Sequence, residues 1–158
     1  MAIYLKYDGI DGDATHEDHK KWITVESLQW GVGRAIATAV GSTKNREASE
    51  PSVAELTIAK QMDTSSVYLF QEACTGQTGK EVKVHLVSTG SPGQTYLEYT
   101  LTDSLVSGYS VSSGGDRPSE SVSINFNKVE MKYIPLESNN EAGSPVTKGY
   151  DLVTTKAV

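Results

Sequence analysis

Cys74 is the whole thiol content of this 158-residue chain. A single thiol forms no internal disulfide, so stability must come from packing. Basic residues are scarce: 14 Lys and Arg stand against 20 Asp and Glu, a formal net charge of -6. A nucleic-acid binder needs a basic surface to displace counterions from phosphates, and an anionic bilayer attracts the same kind of surface. No nucleic-acid partner and no direct membrane insertion are therefore expected. No apolar run reaches membrane-spanning length. The first residues lack the charged, apolar and cleavage-site series of a classical signal peptide, so any export is expected to use a route that reads no N-terminal signal.

The constellations of catalysis are also missing. There is no G-x-S-x-G nucleophile elbow. Gly31-Val32-Gly33 and Gly114-Gly115 have neither the Walker lysine nor the dinucleotide fingerprint. Cys74 sits late in a predicted helix, the wrong end for a dipole-activated thiolate. The acidic turn Asp8-x-x-Asp11-x-Asp13 invites a calcium reading, yet counting from Asp11 puts Thr15 and Trp22 where an EF-hand needs oxygen ligands. It reads as a solvated turn. His16 and His19 have no evident third ligand and read as part of a polar surface turn. His85 alternates with the core side of its strand and is expected to be exposed. No catalytic residue, metal or cofactor is expected, and the tail 135–158 is too short for a catalytic domain.

What the chain does have is period-two alternation. With 37% hydrophobic and 22% charged residues it reads as one soluble domain over 1–158. Ile3, Leu5 and Tyr7 share one face of a first strand, and Trp22 to Trp30 reads as a second. Ala54, Leu56 and Ile58 oppose Glu55 and Thr57. Val82, Val84 and Leu86 oppose Lys83 and His85. An odd phase runs through Leu97, Tyr99, Leu101, Leu105, Tyr109 and Val111. Asp103 and Ser107 interrupt it, which predicts a bent strand, or two strands broken near Thr102–Ser104. Val122, Ile124 and Phe126 share one phase while Val129, Met131 and Tyr133 take the other. A bulge near Asn127–Lys128 reconciles them and lets the chain pass between sheets or curve round a barrel.

One helix is predicted, with Asp63 as N-cap, Ser66, Leu69, Phe70 and Ala73 at helical spacing, and Gly76 as the stop. Gly31–Ser52 is a long polar loop. Ser88–Gly93, Ser112–Ser119 and Pro135–Pro145 are shorter connections, and Val146–Thr155 is a final strand. Many short strands with one helix predict a mainly antiparallel β-barrel or sandwich.

Several stretches carry a resemblance. Ile3-Tyr4-Leu5-Lys6, Asp8-Gly9-Ile10-x-Gly12, Trp22-Ile23-x-Val25 and Trp30-Gly31 open the chain. Leu56-Thr57-Ile58-Ala59-Lys60-x-x-Asp63-x-x-Ser66, then Leu69-Phe70, follow. Tyr96-Leu97-Glu98-Tyr99-x-Leu101 comes next, then Gly114-Gly115-Asp116-Arg117-Pro118-x-Glu120-Ser121-Val122 with Asn125-Phe126, and finally Gly149-Tyr150-Asp151-Leu152. In this order, over nearly the whole chain, they resemble the hemolysin-coregulated protein (Hcp) family, tube proteins of the type VI secretion system.

The resemblance implies an antiparallel β-barrel of two sheets with one flanking α-helix, similar to phage tail-tube proteins. It implies a homo-hexameric ring, rings stacked into a hollow tube inside a sheath and tipped by a spike protein, and small effector proteins in the lumen. It also implies assembly in the bacterial cytoplasm followed by secretion. A carrier whose main task is to bind an effector, and a phage-type tail tube, are the alternatives.

Two sets of residues follow as candidates. Arg34, Lys44, Arg46, Glu47 and Glu50 give the 31–52 loop mixed charge suited to docking ring on ring. Deleting Val40–Glu50 is expected to leave a folded ring and stop tube growth. Glu55, Thr57, Lys83, Ser121, Ser123 and Asn125 are candidates for a polar face, either lumen or outer wall.

Overall fold

A computed structural model describes residues 1–37, 40, 41, 47–139 and 141–158. Its organising element is a strand of 18 residues, Thr95–Ser112, that belongs to two sheets. The strands are β1 (Ala2–Tyr7), β2 (Ile23–Val25), β3 (Ser27–Gln29), β4 (Val32–Gly33), β5 (Ile36–Ala37), β6 (Glu47–Ala48), β7 (Ser52–Val53), β8 (Leu56–Gln61), β9 (Lys80–Val87), β10 (Thr95–Ser112), β11 (Ser119–Asn125), β12 (Lys128–Tyr133), β13 (Val146–Asp151) and β14 (Lys156–Ala157). One helix, α1 (Ser66–Thr75), interrupts them.

The first part of β10 lies between β9 and β12, with Leu97 opposite both Leu86 and Tyr133. Its second part pairs with β11, from Leu105↔Asn125 to Ser112↔Ser119. The bend between them has two causes. The register against β9 slips between Leu101 and Ser104, and Asp103 sits at φ 57°, in the left-handed region. Gly79 approaches so closely there that a Cβ on it would lie 2.9 Å from Asp103 Cα, so only glycine fits. A second slip falls at Ser107. The inward face therefore moves from Leu101 to Ser104 and Val106, all buried, and then back to the odd residues. The two interruptions read in the sequence are both present, and the strand is bent and unbroken.

The segment read as one strand, Trp22 to Trp30, is split. Ile23–Val25 pairs with β1, while Ser27–Gln29 pairs with β8. Between them the Glu26 N–H donates to the Ala59 carbonyl at 2.8 Å. This corner and the β10 bend wrap the two sheets around one core, the barrel-like architecture expected of the sequence. All strand pairs among the described residues are antiparallel.

Leu5, Tyr7, Ile23, Leu56, Val82, Val84, Leu101, Val122 and Ile124 fill that core at 0% exposure. Each such side chain contributes about 1.5–3 kcal/mol by leaving water. Leu69 closes the core from α1, which packs against β10. The regular helix starts at Ser66, three residues past the expected cap. Asp63 still organises its entry: its carboxylate accepts the Ser65 N–H at 2.9 Å, and Ser66 Oγ accepts the Asp63 N–H at 3.0 Å. Phe70, expected on the covered side, is 57% exposed, because only Ser66 and Leu69 of the helix are buried.

Phe126 and Asn127 separate β11 from β12, so the expected bulge is a change of sheet. Asn127 N–H donates to Thr102 at 3.1 Å and its carbonyl accepts from Leu152 at 2.8 Å. From β10 the sheet continues outward as a wing, β12–β13–β14. The final strand ends at Asp151, earlier than expected, since the Asp151 carboxylate draws Val153 and Thr154 N–H groups into a turn before β14. The long polar loop is also partly strand. Val32↔Val53 and Gly33↔Ser52, then Ile36↔Ala48 and Ala37↔Glu47, form two short ladders.

Candidate assembly surfaces

The pairing registers sort the outer side chains into two faces of different chemistry. On the first, β3, β8, β11 and the end of β10 align Gln29↔Thr57↔Ser123↔Gly108 and Ser27↔Ala59↔Ser121↔Ser110. Every one of these is small or uncharged. Thr57 Oγ1 and Ser123 Oγ lie 3.4 Å apart. At the rim, Glu55 accepts from Ser107 Oγ and, at 3.4 Å, from Asn125 Nδ2. Glu55, Thr57, Ser121, Ser123 and Asn125 thus share this face.

Lys83 does not join them. It lies on the second face, where β1, β9, β10 and β12 align Tyr4↔His85↔Glu98↔Lys132 and Lys6↔Lys83↔Thr100↔Glu130. Here charges alternate in sign: Lys83–Glu81 at 3.4 Å, Lys128–Glu130 at 3.2 Å and Lys132–Glu98 at 3.8 Å. These pairs, exposed or only half-buried, contribute little to stability individually.

The stretch 31–52 projects from the β3–β8 pair as a two-ladder arm. Among its described residues no side chain is buried, and Val32 and Ile36 are 60% and 52% exposed. Arg34 and Glu50 are exposed on this arm. Lys44 and Arg46 lie outside the described residues, and of Glu47 only the backbone is described.

Two apolar patches escaped the sequence reading. Val67, Tyr68 and Phe70 of α1 are 67%, 51% and 57% exposed, with Phe70 edge-on to Tyr109 at 6.2 Å. On the wing, Met131, Tyr133 and Val146 are 43%, 50% and 58% exposed, Tyr133 facing Val146 across the ladder. Their alternation looks like that of any half-buried strand; only the position at the sheet margin leaves them uncovered.

Two of the strings that carry the resemblance meet inside the molecule. Lys60 and Glu120, both fully buried, form an ion pair beneath α1. Ser66 Oγ accepts from Lys60 Nζ at 3.0 Å and donates to Glu120 Oε1 at 2.7 Å, Asp63 lies 3.1 Å from Lys60 Nζ, and the Tyr109 hydroxyl donates to Glu120 Oε2. Every member is hydrogen-bonded, as burial of charge demands. Tyr7, whose hydroxyl is 3.4 Å from the Ser104 carbonyl, is pushed up to about 12 by burial and by the Glu72 carboxylate.

The acidic turn and the histidines differ from expectation in part. Asp8 and Asp11 are exposed, but Asp13 accepts from Thr64 Oγ1 at 2.5 Å and Thr64 N at 3.3 Å. That hydroxyl bond is the main reason its carboxyl stays below the ordinary range. His19, expected in a polar surface turn, is 3% exposed, and His85, expected in solvent, is half-buried, because the two rings pack on each other. Cys74 is exposed near the end of the helix.

Residues 4–133 match the family model described as "Type VI secretion system effector, Hcp". The chain is 27% identical over 158 residues to protein hcp1 of Pseudomonas aeruginosa, covering 96% of this chain and 95% of that one. A solved structure of a type six secretion system protein superposes with a TM-score of 0.92 at 30% identity, over 99% of both chains. Hcp1 from Salmonella typhimurium gives a TM-score of 0.79 at 28% identity, over 99% of this chain and 98% of that one.

Proposed function

We propose, from the premise that this chain belongs to the Hcp family of type VI secretion system proteins, that it is a ring subunit of the inner tube and works by assembly alone. Six copies close through a heterologous interface, in which one patch meets a different patch on the next copy. The α1 patch of Val67, Tyr68 and Phe70 and the wing patch of Met131, Tyr133 and Val146 are two such surfaces on one chain. Exposed apolar side chains clustered in this way mark candidate contact surfaces.

The Ser/Thr face of β3, β8, β11 and β10 lines the bore in this reading. Small uncharged side chains give weak, sequence-tolerant contacts, and a ring multiplies them. Effector proteins are thereby held and still released. The charged face lies on the outer side, toward the sheath. The arm at 31–52 docks one ring on the next, and the spike protein tips the stack. The subunit assembles in the bacterial cytoplasm and leaves with the tube. No reaction is catalysed in this scheme.

The observation that carries the reading is the arm: it forms two ladders yet buries none of its described side chains in its own subunit. Negative-stain electron microscopy of the purified protein tests it. Annular particles with a central hole, and stacks of them at high concentration, are expected. An effector carrier that does not stack gives rings alone and protects a co-purified protein from protease.

A further inference from the structure

Tyr4, His85 and Glu98 stand in one cross-strand row on β1, β9 and β10. The 8–22 segment folds back over that row and places His16 and His19 against it. His19 is 3% exposed, yet both its ring nitrogens meet another imidazole. Its Nδ1 lies 2.9 Å from His16 Nδ1, and its Nε2 lies 2.9 Å from His85 Nδ1. Tyr4 stacks on the His19 ring at 4.8 Å and 13°, and Trp22 meets it edge-on at 4.7 Å.

Such a chain is built for protons. Nitrogens sharing a tetrahedral zinc at about 2.0–2.1 Å would sit roughly 3.3 Å apart and converge on one point. Here they face each other pairwise at hydrogen-bond length, and among the described residues no group of three ligand types is placed to hold a metal.

The surrounding bonds set the tautomers. Asp18 N–H points at His16 Nδ1 from 3.3 Å, so that nitrogen accepts and His19 Nδ1–H donates to it. His19 Nε2 then accepts from His85 Nδ1–H. This leaves His85 Nε2 bare, 3.9 Å from Glu98 Oε1. A first added proton settles on that nitrogen beside the carboxylate and breaks nothing. A second has no free site: on His16 Nδ1 or His19 Nε2 it sets N–H against N–H and opens a contact.

We propose that His16, His19 and His85 form a clasp that pins the 8–22 segment to the β1–β9 face at neutral pH and releases it in mild acid while the barrel stays folded. Every neighbouring charge bears on this. Lys83 on β9 and Lys132 on β12 oppose protonation, as does burial; Glu98 on β10 and Asp18 in the segment favour it; Tyr4 and Trp22 contribute only ring packing. Burial is the largest influence, holding His85 at about 4 and His19 below its ordinary value. The unfolded chain therefore takes up protons first. The clasp is at full strength above about pH 6.5 and is lost as pH falls from there toward about 4. Asp13, tied to Thr64, holds the other end of the segment, so opening is confined to its second half.

Hydrogen exchange of the intact protein at about pH 7.5 and about pH 5, corrected for intrinsic rates, reads this directly. Lys21 and Trp22 amides, which donate to Ala14 at 2.9 Å and His19 at 3.1 Å, are expected to lose protection at least about tenfold in acid while β1 and β9 do not. In H16Q/H85Q both flanking amides can rotate to donate or accept, so the acid response shrinks to what the burial of His19 alone produces. Equal protection of wild type at both pH values overturns the proposal. So does a double variant that loosens as much as wild type, or an NMR titration placing His19 at or above the free-histidine value.

Discussion

The ammonium of Lys60 and the carboxylate of Glu120 meet with neither side chain exposed to solvent. They come from β8 and β11 and close under the first turn of α1, where Ser66, Asp63 and the Tyr109 hydroxyl complete their bonds. Removing one partner strands the other. Lys60→Met is expected to cost about 3–5 kcal/mol, read as a lower urea midpoint. Adding Glu120→Met should recover more than half of that loss. A double variant no better than the single one would show that the junction does not depend on this pairing.

Asp103 holds the β10 bend in a left-handed conformation, and its carboxylate accepts from Asn127 Nδ2. Asp103→Val places a β-branched side chain there and is expected to lose about 2 kcal/mol. Asp103→Gly keeps the backbone and gives up only the carboxylate bond, so it should stay within about 1 kcal/mol of wild type. Thermal unfolding of the two variants distinguishes them, and equal losses would place the cost outside the backbone.

Replacing Arg34–Pro51 by Asn-Gly closes the Gly33↔Ser52 pair with a two-residue hairpin turn. Since the arm's described side chains are not buried in its own subunit, unfolding free energy is expected to change by less than about 0.5 kcal/mol. Rings should persist and stacks should vanish in micrographs. Stacks of normal length would remove the arm from the ring-to-ring contact.

Phe70→Asp and Tyr133→Asp each place a charge in one of the two exposed apolar patches. A heterologous ring needs both, so each variant alone should sediment as a folded monomer. Each keeps the patch that the other has lost. An equimolar mixture should therefore pair one to one and go no further. Rings from either variant alone would assign the subunit contact elsewhere.

Much of this architecture is legible in the sequence, for reasons that also explain what is not. The β10 bend shows because Asp103 and Ser107 each break a period-two pattern that Leu101, Tyr109 and Val111 otherwise keep. The change of sheet at Asn127 shows because it inverts the phase from Ile124 to Val129. The corner at Glu26 leaves the same kind of mark, since Leu28 and Trp30 fall out of phase with Ile23 and Val25, but the inversion is short and the segment passes for one strand. The arm reads as loop because a ladder wet on both faces carries no alternation. Burial of His19 depends on Tyr4 and His85, which reach it from separate strands, so no local pattern marks it. Likewise Lys60 and Glu120 stand out only as members of resembling strings, and their partnership follows from the β8–β11 register.

Native mass spectrometry of the purified protein, taken over a wide concentration range, asks the decisive question. A tube subunit gives a dominant species at six times the 17.0 kDa chain mass. A protein that stays at a single chain mass at every concentration does its work in some other way than by closing rings.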